Sequence, residues 1–179
     1  LMVLLLHATD AGGRNAVRGI TRLQKLLFVV QQRLAGHGAG FYAFNDVHAA
    51  MALAATGRDA AVSRLVERMR RAAGNDNANA AMTRDVGLPV AEGMVAFARG
   101  RYGDAIAALE PARDGAHRFG GSHAQRDVIT LTLIEAAIRG GDRIRARHYA
   151  AERLVRKPAS TWAQRLWGRA GAAPARAAV

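Results

Sequence analysis

Three glycines set the frame of this chain. Gly57, Gly100 and Gly141 each interrupt a pair of segments with helical periodicity, at intervals of 43 and 41 residues. Glycine accepts the left-handed backbone of a tight helix-to-helix turn without steric cost. When the three are superposed, the positions five residues on hold Val62, Ala105 and Ala146, and those nine on hold Val66, Leu109 and Ala150. Residues four apart share a helix face, so each unit carries an apolar face just past its turn. A recurring helix, glycine turn and helix is the pattern of a helical solenoid, whose units bury their apolar faces against their neighbours. The expected pairs are about Asp46–Thr56 with Asp59–Ala73, Leu88–Arg99 with Tyr102–Arg113, and Gln125–Arg139 with Asp142–Arg156. Asn75–Asn79 reads as a surface connection, Pro158 ends the third pair, and Ser160 caps a last helix over about Thr161–Arg169.

Composition points the same way. Half of the residues are apolar, but only 6% are aromatic and much of the rest is alanine. Alanine is the best helix former and lets helices approach closely, while alternating runs of β-branched and aromatic residues are nearly absent. In the middle unit, Ala98-Arg-Gly-Arg-Tyr-Gly-Asp-Ala105 with Leu109 is close to the glycine, tyrosine and alanine pattern of a tetratricopeptide unit, at a longer period. The fold class expected is all-α: tetratricopeptide-like antiparallel helix-pair repeats forming a short right-handed solenoid over 44–170. A helical segment over 1–43 precedes it, and an alanine- and glycine-rich tail over 171–179 is expected to fray.

Phe44-Asn-Asp-Val-His48, Arg84-Asp-Val-Gly-Leu-Pro89, Gly120-Gly-Ser-His-Ala-Gln-Arg-Asp-Val128, and Glu152-Arg153 followed by Lys157-Pro158 occur in that order. In order and spacing these blocks resemble the C-terminal part of the tetratricopeptide repeat 38 family, whose larger N-terminal half is not visible here. The resemblance implies an all-α repeat fold and carries no established biochemical activity with it. The first 43 residues differ in character. Thr21 can cap a helix whose Ile20, Leu23, Leu27, Val30 and Leu34 share one apolar face, closed by the glycines of Gly36–Gly40. Within it, Gly19-Ile-Thr-Arg-Leu-Gln-Lys-Leu-Leu-Phe28 resembles the start of a winged-helix domain of the YwgA type, where it would be the second helix of a DNA-binding-like module. No recognisable wing follows Tyr42.

The net charge is +12, and the basic side chains are arginines apart from Lys25 and Lys157. Nine basic residues stand against two acidic ones over Arg139–Gly171, and five against one over Leu1–Ala43. Such an excess attracts nucleic acid, acidic protein surfaces or anionic lipid, although arginines simply solvated on helix faces account for it equally well. The chain has no cysteine, which excludes disulfides and thiolate chemistry and fits a reducing compartment. Met2–Leu6 is far shorter than the roughly 20 residues of a membrane span and lacks the flank and cleavage motif of a signal peptide. A cytoplasmic protein without membrane association is expected.

His48, His123, Arg126 and Asp127 form the candidate polar cluster. Asn45 and Asp46 lead into His48 at one helix start, and Gly120, Gly121 and Ser122 lead into Arg126 and Asp127 at another. Polar side chains at helix starts cap free backbone N–H groups, and such a start also accommodates an anion. Capping and pairing between units need no further coincidence and are the favoured reading. Arg143, Arg145, Arg147, Arg153 and Arg156 are the candidates for contact with phosphates or an acidic partner. Tyr149, Trp162 and Trp167 stand near them, either as stacking groups or, more simply, as core.

The six histidines are scattered, with no pair four apart beside a glutamate, and no serine sits in a Gly-x-Ser-x-Gly turn. The glycine-rich stretches lack a Gly-Lys-Ser/Thr ending. No metal, cofactor or catalytic constellation is therefore expected. The function expected is a non-catalytic scaffold for a protein or peptide partner. The alternative is nucleic-acid binding through the N-terminal helix and the arginine-rich C-terminal helices. The apolar end faces of a short array make self-association an accompanying expectation.

Overall fold

A computed structural model describes residues 42–121 and 123–171. The amphipathic segment with the winged-helix resemblance and residues 172–179 lie outside the described residues. Helices α1 (Ala43–Ala55) and α2 (Asp59–Ala73) form the first pair. Next, α3 (Ala78–Met82), a π turn (Thr83–Gly87) and α4 (Leu88–Ala98) run into one another with helical dihedral angles at both junctions. Helix α5 (Tyr102–Ala112) completes the second pair. A 3₁₀ turn (Asp114–Phe119) leads to α6 (His123–Arg139) and α7 (Arg143–Arg156), followed by α8 (Thr161–Gly171). No strand occurs among the described residues, and the class is all-α.

The three recurring glycines hold φ angles of +69°, +73° and +76°, and nothing lies within 4 Å of where a Cβ would stand at any of them. Each makes the same closure. The Gly57 N–H bonds the Ala54 carbonyl and the Arg58 N–H that of Leu53; Gly100 and Arg101 bond Phe97 and Ala96; Gly141 and Asp142 bond Ile138 and Ala137. This is the Schellman arrangement, which satisfies the last carbonyls of a helix and needs a left-handed residue. Val62, Ala105 and Ala146, and likewise Val66, Leu109 and Ala150, are all buried, as the superposition predicts.

Within the pairs, α1 packs on α2, α4 on α5 and α6 on α7. Between pairs, α4 packs on both α1 and α2, α6 on both α4 and α5, and α8 on both α6 and α7. The first helices of successive pairs therefore lie side by side in chain order over one continuous apolar core. At Gly93 α4 comes close to α5. An added Cβ there would stand 2.5 Å from Leu109 Cγ and 3.3 Å from the Ala105 carbonyl oxygen. Trp162 and Trp167 are partly buried and pack against the same core.

The second pair differs from expectation at its start. Asn77 is extended and its side chain accepts the Ala80 N–H at 2.9 Å, so helical structure begins at Ala78, within the stretch expected to be a connection. It then runs through Pro89 instead of starting beside it. Proline lacks an N–H and its ring crowds the carbonyl four residues back, here that of Asp85. The preceding turn is widened, with the Leu88 N–H bonded to the Thr83 carbonyl, which gives the ring room. A long-range contact accompanies the widening: a Cβ at Gly87 would stand 2.7 Å from the Ala43 Cβ at the start of α1. No helix among the described residues is long and apolar enough to cross a membrane.

Candidate functional site

The four blocks Phe44–His48, Arg84–Pro89, Gly120–Val128 and Glu152–Pro158 are distant in the chain and neighbours in the fold. Gly87 abuts Ala43, Gly115 of the 3₁₀ turn abuts Val86, and Arg118 Nη2 lies 3.5 Å from Asp85 Oδ2. Gly120 and Gly121, with φ of +91° and +71°, lie against the Tyr42 hydroxyl and the Phe44 ring with no room for a Cβ. Asp127 in turn accepts hydrogen bonds from Arg153 and from Lys157 Nζ, the latter at 2.9 Å. The blocks form one seam along the starts of α1, the π turn and α6 and the end of α7.

His48 belongs to this seam as a packing group. Its Nδ1 donates to the Phe44 carbonyl at 2.8 Å, and its ring lies 4.2 Å, centroid to centroid, from that of Phe44. The other three candidates come together. His123, Arg126 and Asp127 line a cavity of about 260 Å³ between the 3₁₀ turn, α6 and the end of α7, and His117, Arg156 and Lys157 line it with them. Arg126 donates to the carbonyls of Gly120, at 3.2 Å, and Gly121, and it approaches His123 Nδ1 at 3.3 Å. A guanidinium can only donate, so His123 Nδ1 accepts and the proton of the neutral ring sits on Nε2. Asp127 is half-buried. Burial alone would raise its carboxyl, but the hydrogen bonds from Arg153 and Lys157 outweigh it and hold the group below the ordinary carboxylate value.

The five arginines of α7 take up different roles. Arg153, 6% exposed, points inward to Asp127. Arg145 donates to Asp142 at 2.8 Å and lies 3.6 Å from Glu110. Arg147 stacks 4.9 Å from the Trp167 ring, and Arg143 reaches the Gly171 carbonyl at 3.3 Å, so this pair ties α7 to α8. Arg156 is the most open, with its side chain 63% exposed and 3.6 Å from Glu152. The spacing of helix positions explains the spread: at about 100° per residue, positions 143 and 147 share one side, 145 and 156 another, and 153 faces inward.

Sequence reasoning missed the carboxylates that hold the pairs together. Glu135 on α6, 3% exposed, accepts from Arg169 on α8 and from Arg139 Nε at 3.4 Å. Glu152 on α7 accepts from Arg113 at 2.8 Å, and Glu110 on α5 accepts from the Tyr149 hydroxyl. Burial and that bond push the Tyr149 phenol well above its ordinary value. The available signal for Glu135 was a lone acid in the apolar run Leu131–Ile138, which on a helix has to meet a cation. A second cavity, a groove of about 760 Å³, was also missed. It lies between α2, α4 and α5, with Val62, Val66 and Val95 at its floor and the Arg70–Glu92 pair, at 2.5 Å, on its rim. No cluster of histidine and carboxylate side chains able to hold a metal occurs among the described residues. No family model matches the chain, and no solved structure matches it.

Proposed function

We propose that the chain is a non-catalytic helical-repeat scaffold of tetratricopeptide type that docks a peptide or protein partner, with residues 44–170 related to the tetratricopeptide repeat 38 family. The observation that carries this reading is the same Schellman turn repeated at intervals of 43 and 41 residues, with each pair stacked on the next. Stacked pairs create extended clefts, and an amphipathic helix fits a groove with an apolar floor and a charged rim. The groove between α2, α4 and α5 has that character. The test is a titration of a partner, identified by affinity capture, against the wild type and an Ala108→Trp variant that fills the groove. A loss of at least tenfold in affinity is expected, since one or two well-packed anchors dominate such contacts. Unchanged affinity would overturn groove docking, and repeated failure to capture any partner would count against the scaffold reading itself.

Nucleic-acid binding is the second reading, favoured by the net charge of +12 and by the exposed Arg156 and Lys157 at the end of α7. Fluorescence anisotropy with labelled DNA and RNA separates it from surface charge alone. Binding that persists at physiological salt supports it, and binding that vanishes on modest salt addition removes it. Self-association accompanies the scaffold reading. Ile144 and Val155, 85% and 81% exposed, stand on the same side of α7 three turns apart. Sedimentation that does not change with concentration would exclude it.

A further inference from the structure

We propose that the cavity between the 3₁₀ turn, α6 and the end of α7 binds a phosphate-class dianion, a site independent of the peptide groove. Its volume of about 260 Å³ exceeds that of several waters, each of which takes about 30 Å³ of the liquid. That leaves space for a phosphate and the first atoms it is attached to.

Charge is the main argument. In and immediately behind the walls stand Arg113, Arg126, Arg153, Arg156 and Lys157, against Asp114, Asp127 and Glu152. Among the described residues, five cations against three carboxylates leave two positive charges without a counter-charge, which a dianion supplies. The pairing within the group shows where the excess lies. Asp127 is shared by Arg153 and Lys157, and Glu152 by Arg113 and Arg156. Among the described residues, the Arg126 guanidinium bonds carbonyl oxygens and an imidazole nitrogen, all neutral acceptors. No carboxylate among the described residues pairs with it, and it sits in the cavity wall.

Donor chemistry fits as well. With Nδ1 accepting from Arg126, the neutral His123 ring keeps its N–H on Nε2. Arg156 is held at 3.6 Å from Glu152, longer than a hydrogen bond, and its side chain is free to turn onto an anion. Guanidinium forks match the oxygen spacing of phosphate better than a point charge does. The residues arrive from three places in the chain, the 3₁₀ turn, the start of α6 and the end of α7, so the site exists only in the folded molecule.

The test titrates the full chain with inorganic phosphate at constant ionic strength, by calorimetry or NMR, beside the Arg156→Gln, His123→Ala and Arg64→Gln variants. Arg156 and His123 are solvent-exposed and hold no pair of helices together, and Arg64 on α2 lines the other groove and not this cavity. Saturable binding is expected, weakened roughly tenfold by Arg156→Gln, the loss of one charged hydrogen bond, less by His123→Ala, and unchanged by Arg64→Gln. A serine-phosphorylated peptide and its unphosphorylated form distinguish the source of the group. Tighter binding of the phosphopeptide than of phosphate assigns the site to a modified side chain, and equal binding assigns it to a free phosphate compound. No saturation with phosphate or phosphopeptide at tens of millimolar, or equal weakening by Arg64→Gln and Arg156→Gln, would overturn the proposal.

Discussion

At Gly57, Gly100 and Gly141 an alanine would meet no neighbour but would have to hold a left-handed backbone. Each substitution is therefore expected to cost about 1–2 kcal/mol, the price of that conformation for an L-residue. Gly93 is different, because its backbone angle is ordinary and its space is taken by Leu109. Alanine there must push α4 from α5, at about 1–3 kcal/mol, less what helix propensity returns. Urea unfolding of the four variants measures this, and only Gly93→Ala should be partly rescued by Leu109→Val. Asp127 makes a prediction in pH. Its folded-state pKa lies below the ordinary 3.8, so the ionised carboxylate stabilises the fold above that value and the contribution is lost as pH falls through and below it. The melting-temperature gap between the wild type and Asp127→Asn should be widest near neutrality and close in acid. A gap constant with pH would show that the contribution is not electrostatic. The turn glycines were legible in the sequence because their requirement is local; Gly93 was not, since only the partner helix makes it necessary.

Among elements, α8 shows how one buried group joins a helix to a neighbour. Glu135 is almost wholly buried on α6, while Arg169 on α8 is half-exposed, so the two ends of the pair are not equivalent. Arg169→Ala removes the α8 partner of a buried carboxylate and is expected to cost about 3 kcal/mol. Glu135→Gln leaves no carboxylate charge at that buried position and should cost less, and adding it to Arg169→Ala should recover part of the loss. Chemical denaturation of the two single variants and the double variant checks the order, which would be reversed if the carboxylate mattered only as an anchor for arginine. The π turn makes a related point. The expected helix begins at about Leu88, yet helical structure runs through Pro89, because a widened turn accommodates the ring and the contact of Gly87 with Ala43 packs that turn against α1.

For the whole molecule, stacking between neighbours has a consequence for cooperativity. Helix α4 packs on α1, α2, α5 and α6, whereas α8 rests chiefly on α6 and α7. In a nearly one-dimensional array, stability follows the number of packed neighbours. Native-state hydrogen exchange should therefore find the slowest amides in α4 and α6 and distinctly faster ones in α8. Uniform protection across all helices would mean that the described region opens as a single unit.

The helices, their ends and their period could be read from the chain because each depends on residues a few positions apart. A left-handed glycine, a cap and an apolar face are decided within about five residues. Helix limits from Asp59 to Ala73 and from Tyr102 onward accordingly stand close to where periodicity put them. The charged residues are another matter. Arg126, Arg153 and Arg156 looked alike in the sequence, yet one braces a loop, one is buried on Asp127 and one stands in solvent. Which arginine meets which carboxylate depends on the faces that two helices turn toward each other, tens of residues apart in the chain. Only packing settles that, and packing is what gathered His123, Arg126 and Arg156 around one cavity and left His48 outside it.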